Sequence, residues 1–117
     1  MIDGHGVFKY IQIEVIPKNK DSGEQNHLIV RGWSDCGYHA QILDKFIKKE
    51  LLKNQELAQK YTAECPGGGR IRHDEANKKI EIYGYSQGFG RCDHQITQGF
   101  IQQEYPDYEV TWSNEGY

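Results

Sequence analysis

At His39 the hydrophobic spacing of the chain changes from a period of two to a helical one. Upstream, Val7, Lys9, Ile11, Ile13 and Val15 alternate with Phe8, Tyr10, Gln12 and Glu14, the pattern of a strand. Downstream, Leu43, Phe46, Ile47 and Leu51 fall on one helical stripe. His39, inside Gly37-Tyr38-His39-Ala40, therefore sits in the first turn of an amphipathic helix. A first turn offers unpaired backbone N–H groups and partial positive charge, which suit an anion such as phosphate. The same field disfavours imidazolium and lowers the pKa of His39. A neutral imidazole beside a bound phosphate can accept a proton or attack phosphorus. On spacing alone a plainer role, a helix-start residue with a satisfied hydrogen bond, is the commoner one.

The rest of the pattern predicts strands, helix, strands, helix, strand. His27 to Gly32 reads as a second strand, and the first helix runs to about Leu57 with Lys45, Lys48, Lys49, Glu50 and Lys53 on a solvated face. Tyr61 to Cys65 is a strand that Pro66-Gly67-Gly68-Gly69 breaks, and Arg70 to His73 resumes an extended segment. Asp74 to Asn77 forms a hairpin turn before the alternating Lys79 to Tyr85. Asp93 caps a second helix with Ile96, Phe100 and Ile101 inward. Tyr108 to Trp112 is the last strand, and Ser113 to Tyr117 the tail. This order predicts an α+β fold, a single domain over residues 1–117 with a mixed, mostly antiparallel sheet and two helices.

Several functions are disfavoured. With net charge −3 and a pI near 5.9, no global basic field exists to hold nucleic acid. No segment has the length of a membrane span, and the N-terminus lacks the apolar core of a signal peptide. Cys36, Cys65 and Cys92 are odd in number and widely spaced, which reads as reduced thiols in the cytoplasm. No H-x-H or H-E-x-x-H occurs, so a metal site is not expected. His5 and His27 are read as surface residues, and His73 and His94 as structural. Nothing resembles a heptad or a long apolar edge, so a monomer is expected.

Two short motifs fail on inspection. Cys65 to Arg70 has four intervening residues where the phosphate loop of cysteine phosphatases has five, and no strand-loop-helix surrounds it. Gly84-Tyr85-Ser86-Gln87-Gly88 fits G-x-S-x-G, but the last histidine, His94, follows too closely for that triad. The same loop suits oxyanion binding through the Ser86 hydroxyl and the Gln87 and Gly88 amides, although on composition alone a simple turn is the commoner case. Lys9, on the aliphatic side of its strand, either snorkels at the strand end or points at something negative; pattern alone favours snorkelling.

Taken together, Gly6-Val7-Phe8-Lys9-Tyr10, Val30-Arg31-Gly32, Tyr38-His39-Ala40 with Asp44-Lys45, Gly67-Gly68-Gly69-Arg70-Ile71, Tyr83-Gly84-Tyr85-Ser86 and Tyr105-Pro106-Asp107-Tyr108-Glu109-Val110-Thr111-Trp112 resemble the protein phosphohistidine phosphatases of the Janus/Ocnus family. The resemblance runs from Gly6 to Tyr117. It implies a metal-independent, cofactor-free enzyme that removes phosphate from histidine in phosphoproteins. The family's catalytic histidine falls on His39 and its phosphate-contacting lysine on Lys9. Its anion loop falls on Ser86, Gln87 and Gly88, with the amides of His39 and Ala40, and Arg31 and Arg70 fall near the site. Tyr38 would pack and orient the histidine. The residues after the serine, Gln87-Gly88-Phe89, depart from better-known members. Other relatives are developmental proteins without an assigned reaction, which keeps a non-catalytic phospho-ligand binding module or scaffold as the alternative.

Overall fold

The computed structural model describes residues 2–114; Glu115, Gly116 and Tyr117 of the expected tail lie outside the described residues. Five strands form one sheet: β1 (Gly6–Pro17), β2 (His27–Gly32), β3 (Tyr61–Asp74), β4 (Lys79–Tyr83) and β5 (Glu109–Trp112), in the spatial order β2-β1-β3-β4-β5. All neighbours are antiparallel except β4 and β5. The expected mixed, mostly antiparallel α+β fold is therefore what forms.

Each face of the sheet carries a helix. On one, Ile42 and Phe46 of α1 (His39–Phe46) pack with Ile11 and Ile13 of β1. On the other, Ile101 of α3 (His94–Glu104) packs with Phe8, Tyr10, Ile71, Ile80 and Ile82. The alternation of β1 explains the division. Odd positions, Lys9 among them, share the face of Ile11 and Ile13, where α1 lies. Tyr10 and Phe8 face α3.

Three expectations are corrected. The first helix does not reach Leu57: after Phe46 it widens into a π turn, Ile47–Leu51, stops, and restarts as α2 (Gln55–Lys60). The Asn54 side chain caps the restart, accepting from the Glu56 and Leu57 amides at 3.0 and 3.4 Å. Asparagine competes for backbone hydrogen bonds, so it favours a cap over a helix interior. In α3, Asp93 caps as expected, accepting from the Gln95 amide at 3.0 Å. Ile96, however, points outward, while His94 and Thr97 are buried. Polar residues hold those inward positions because they find hydrogen bonds there.

The third correction concerns Pro66 to Gly69, which do not break a strand. β3 runs unbroken from Tyr61 to Asp74. The glycines are there because both faces of the strand are occupied at contact distance. A Cβ on Gly68 would stand 2.5 Å from the Tyr10 carbonyl oxygen and 2.8 Å from Cδ2 of His39. One on Gly69 would stand 2.7 Å from Cε1 of His94, and one on Gly67 2.6 Å from the Cys92 nitrogen. A strand pressed by a histidine on each side has no room for side chains.

Gly68→Ala should therefore lower stability by about 1–3 kcal/mol through overpacking against backbone. Gly99, in the middle of α3 with open space at its Cβ, is the counterpart. Gly99→Ala should raise stability by about 0.5–1 kcal/mol. Urea midpoints measure both; a Gly68→Ala midpoint equal to that of the parent would refute the packing argument.

Candidate active site

A cleft of about 600 Å³ opens where β1, β3, the start of α1 and the β4–α3 loop meet. Of the residues expected at a site, His39, Ala40, Lys9, Arg70, Ser86, Gln87 and Gly88 all line it. Tyr38, Tyr85 and Phe89 complete its walls, and no carboxylate is among the described residues that line it. A separate depression of about 490 Å³ beside Pro17, Lys18 and Tyr61 contains no histidine.

The cations come from strand register. Lys9 and Arg70 are direct partners across the antiparallel β1–β3 pair. Opposite residues share a face, with Cβ atoms about 5 Å apart, and like charges so placed repel. Lys9 thus lies beside Arg70 on the wall of the cleft. Its Nζ donates to the Gly37 carbonyl at 2.7 Å, immediately before the helix that carries His39.

His39 is buried, and its Nε2 lies 2.9 Å from the Gly69 carbonyl oxygen. A carbonyl only accepts, so Nε2 carries the proton. In the neutral ring Nδ1 then holds the lone pair, and it has no hydrogen-bond partner among the described residues. Burial lowers the His39 pKa; the Gly69 carbonyl opposes that shift, while Lys9 and Arg70 add to it.

The donors are backbone amides. Tyr38 is the N-cap of α1 but makes no side-chain cap, so the His39 and Ala40 amides at the helix start have no partner among the described residues. Instead, the Gln41 side chain accepts from the Tyr38 amide at 3.0 Å. Across the cleft, Gly84 and Gly90 adopt φ of 78° and 88° and bound the loop. Within it the Ser86 amide donates to the Gly90 carbonyl at 3.1 Å, and the Gly90 amide to Ser86 at 2.8 Å. Ser86 is buried, and its Oγ accepts from the Phe89 amide at 3.1 Å. Its first role is thus to close the loop, which leaves the Gln87 and Gly88 amides without partners among the described residues. The Gly68 amide donates to the Gly90 carbonyl at 3.0 Å, tying the loop to the same glycines that seat His39.

Arg31 is not brought to the cleft. It grips Glu50 with Nε and Nη2 at 2.9 and 2.7 Å and lies over the Phe46 ring at 5.6 Å. Arg31 in turn holds the Glu50 carboxyl below its ordinary range. The neighbouring sequence could not reveal this partner, because Glu50 belongs to the π turn. Nor does Tyr38 pack: it is 70% exposed.

His94 supports the site from behind. Its Nε2 donates to the Gly84 carbonyl at 2.7 Å, so its Nδ1 accepts from the Tyr10 hydroxyl. Thr97 Oγ1, 3.1 Å from that hydroxyl, takes a 2.9 Å bond from Gln12. These residues fix the entry to the β4–α3 loop, and the alternating pattern of β1 gave no sign of it. His73 is elsewhere, bonded to the Asp3 carbonyl at 2.9 Å and ringed by Tyr105 and Tyr108. No group of three or more His, Cys, Asp or Glu among the described residues could hold a metal ion.

Fold and site define a small α+β protein with an uncapped helix start, two cations and a buried neutral histidine around one cleft. The family model described as Janus/Ocnus family (Ocnus) matches residues 1–109, and the chain belongs to that family. Among its relatives is the 14 kDa phosphohistidine phosphatase of Sus scrofa, 45% identical over 119 residues, covering 99% of this chain and 89% of that protein. The Homo sapiens protein of the same name is 44% identical over 118 residues, covering 99% and 90%. The sex-regulated protein janus-A of Drosophila yakuba is 45% identical over 116 residues, covering 99% and 78%.

Burial also lowers the His94 pKa. Both histidines thus bind protons more weakly folded than unfolded, where the pKa is 6.5. Their contribution to stability is complete above that value and is lost as pH falls through the folded pKa values. The urea midpoint should be steady from pH 8 to 7 and fall between pH 6.5 and 5.5. A midpoint that stays level over the lower interval would contradict the burial of neutral rings.

Proposed function

We propose that this chain is a protein phosphohistidine phosphatase that hydrolyses the P–N bond without a metal ion. The observation that carries the reading is the convergence of an unprotonated His39 Nδ1 with Lys9, Arg70 and open amides on a single cleft. The names of the pig and human relatives support it.

The phosphoryl oxygens lie between the amides of His39 and Ala40, those of Gln87 and Gly88, the Ser86 hydroxyl, and the Lys9 and Arg70 cations. Donors fixed in place stabilise developing charge without reorganising. His39 Nδ1 takes a proton from water as the water oxygen bonds to phosphorus. The P–N bond breaks, and its electron pair returns to a substrate ring already protonated at its other nitrogen. That ring leaves as neutral imidazole. The protonated leaving group and the fixed cations supply what a metal would otherwise provide. His39 then returns its proton to solvent. In a second route Nδ1 itself attacks phosphorus and water cleaves the phosphoenzyme. Quenching a turning-over sample rapidly without acid separates the two, since phosphate on His39 Nδ1 marks direct attack.

The substrates are phosphohistidine-containing proteins or peptides, and the setting is the cytoplasm, in keeping with three free thiols. Burial pushes the Cys65 thiol up to about 11, so it is no nucleophile at neutral pH.

A phosphohistidine peptide assayed for released phosphate tests the reading. His39→Ala should lose at least about 100-fold in rate. Lys9→Ala and Arg70→Ala should weaken substrate binding and slow turnover, while Arg31→Ala should keep turnover within about threefold. Excess chelator should change nothing. Saturable binding without phosphate release would instead favour the phospho-ligand binding module, and a His39→Ala loss under tenfold would remove His39 from the chemistry.

A further inference from the structure

Tyr38 is the most exposed of the large hydrophobic residues described, at 70%, and it stands on the wall of the cleft beside His39. Its ring joins neither hydrophobic cluster and makes no cap hydrogen bond. An N-cap position favours Ser, Thr, Asp or Asn, whose side chains close the helix start. A tyrosine there gives up that stabilisation and leaves apolar surface in water. What it gains is an open helix start: an aspartate cap would occupy the amides and repel an anion. That accounts for the lack of a capping side chain, but not for an aromatic one. Serving a ligand accounts for both.

The ligand's chemistry follows from the site. In phosphohistidine one bond joins the phosphoryl group to an imidazole, so a phosphoryl group seated at the helix start brings its ring to the adjoining wall. The cleft, at about 600 Å³, has room for far more than an oxyanion, within the range of small-molecule sites. Tyr85, 36% exposed, lies on the loop side of the same cleft with the Arg91 guanidinium 5.8 Å from its ring centre. Lys9 Nζ lies 5.3 Å from the Tyr38 ring centre, within reach of both the ring and the phosphoryl group.

Building on the phosphatase reading, we propose that Tyr38 reads the leaving group. Its ring stacks on the imidazole of the bound phosphohistidine, with Tyr85 as the facing wall. A protonated imidazole ready to leave is cationic and planar, which a tyrosine face favours over a neutral phenyl or an alkyl group. The site therefore selects phosphohistidine by its ring as well as by its phosphate.

The test compares substrates with and without a ring. Tyr38→Ala should lower kcat/KM for a phosphohistidine peptide about 5- to 20-fold. It should leave phosphoramidate, which has no ring, within about threefold, and Tyr38→Phe should stay within about threefold on both. Equal losses on the two substrates, or none on either, would overturn the proposal. A binding arm separates it from the enzymatic reading. By calorimetry, Tyr38→Ala should weaken a peptide bearing a phosphoryl-triazole analogue of phosphohistidine by a similar factor, with inorganic phosphate within about twofold. If the parent chain shows this dependence yet hydrolyses nothing, the phosphatase reading fails and the ring recognition stands. Should the analogue bind the parent and Tyr38→Ala alike, ring recognition fails whatever the turnover.

Discussion

Everything at the cleft depends on how closely His39 approaches the backbone of β3. The Nε2–H bond to the Gly69 carbonyl fixes the ring's tautomer, its depth and its orientation in one contact. That approach is possible only because Gly68 presents no side chain. The same stretch of strand accepts the loop through the Gly68 amide and admits His94 from the other side. Three bare residues in the middle of a sheet thus seat His39, moor the β4–α3 loop and receive the helix behind it. The cost in backbone entropy of ordering glycines in a strand is modest beside that.

Charge is arranged locally. The chain is acidic overall, yet the register of β1 and β3 places Lys9 and Arg70 opposite one another, and no carboxylate among the described residues lines their cleft. Like charges held opposite one another in this way repel. Burial, with a smaller contribution from the same cations, lowers the His39 pKa and so favours the neutral ring over a third charge. Arg31 lies away from that cleft, paired with Glu50 and laid over the Phe46 ring.

The parts of this arrangement that depend on local spacing were legible in the sequence. The helix start at His39, the odd place of Lys9 in an alternating strand and the Asp93 cap each follow from a few neighbouring residues. What depends on contacts across the sheet was not. Gly67 to Gly69 have the composition of a breaker, and only the two histidines on either side explain them as strand. Arg31 looks as eligible as Arg70 in the sequence, and only the register of β3 against β1 brings Arg70 to the cleft. Ile96 fits a helical stripe, but Thr97 and His94 take the inward positions because Gln12 and Tyr10 wait there with hydrogen bonds. Asn54 ends one helix and starts another, an effect a search for apolar period alone passes over.

In the proposed reaction His39 is neutral at working pH, with its proton on Nε2 and its lone pair on Nδ1 facing a bound phosphoryl group. Nitrogen-15 NMR of the His39 ring reads this directly. The expected spectrum at pH 7 has a protonated Nε2 and an unprotonated Nδ1, with the Nδ1 resonance moving as inorganic phosphate is added. A ring protonated on Nδ1, or an Nδ1 resonance indifferent to phosphate, would contradict it.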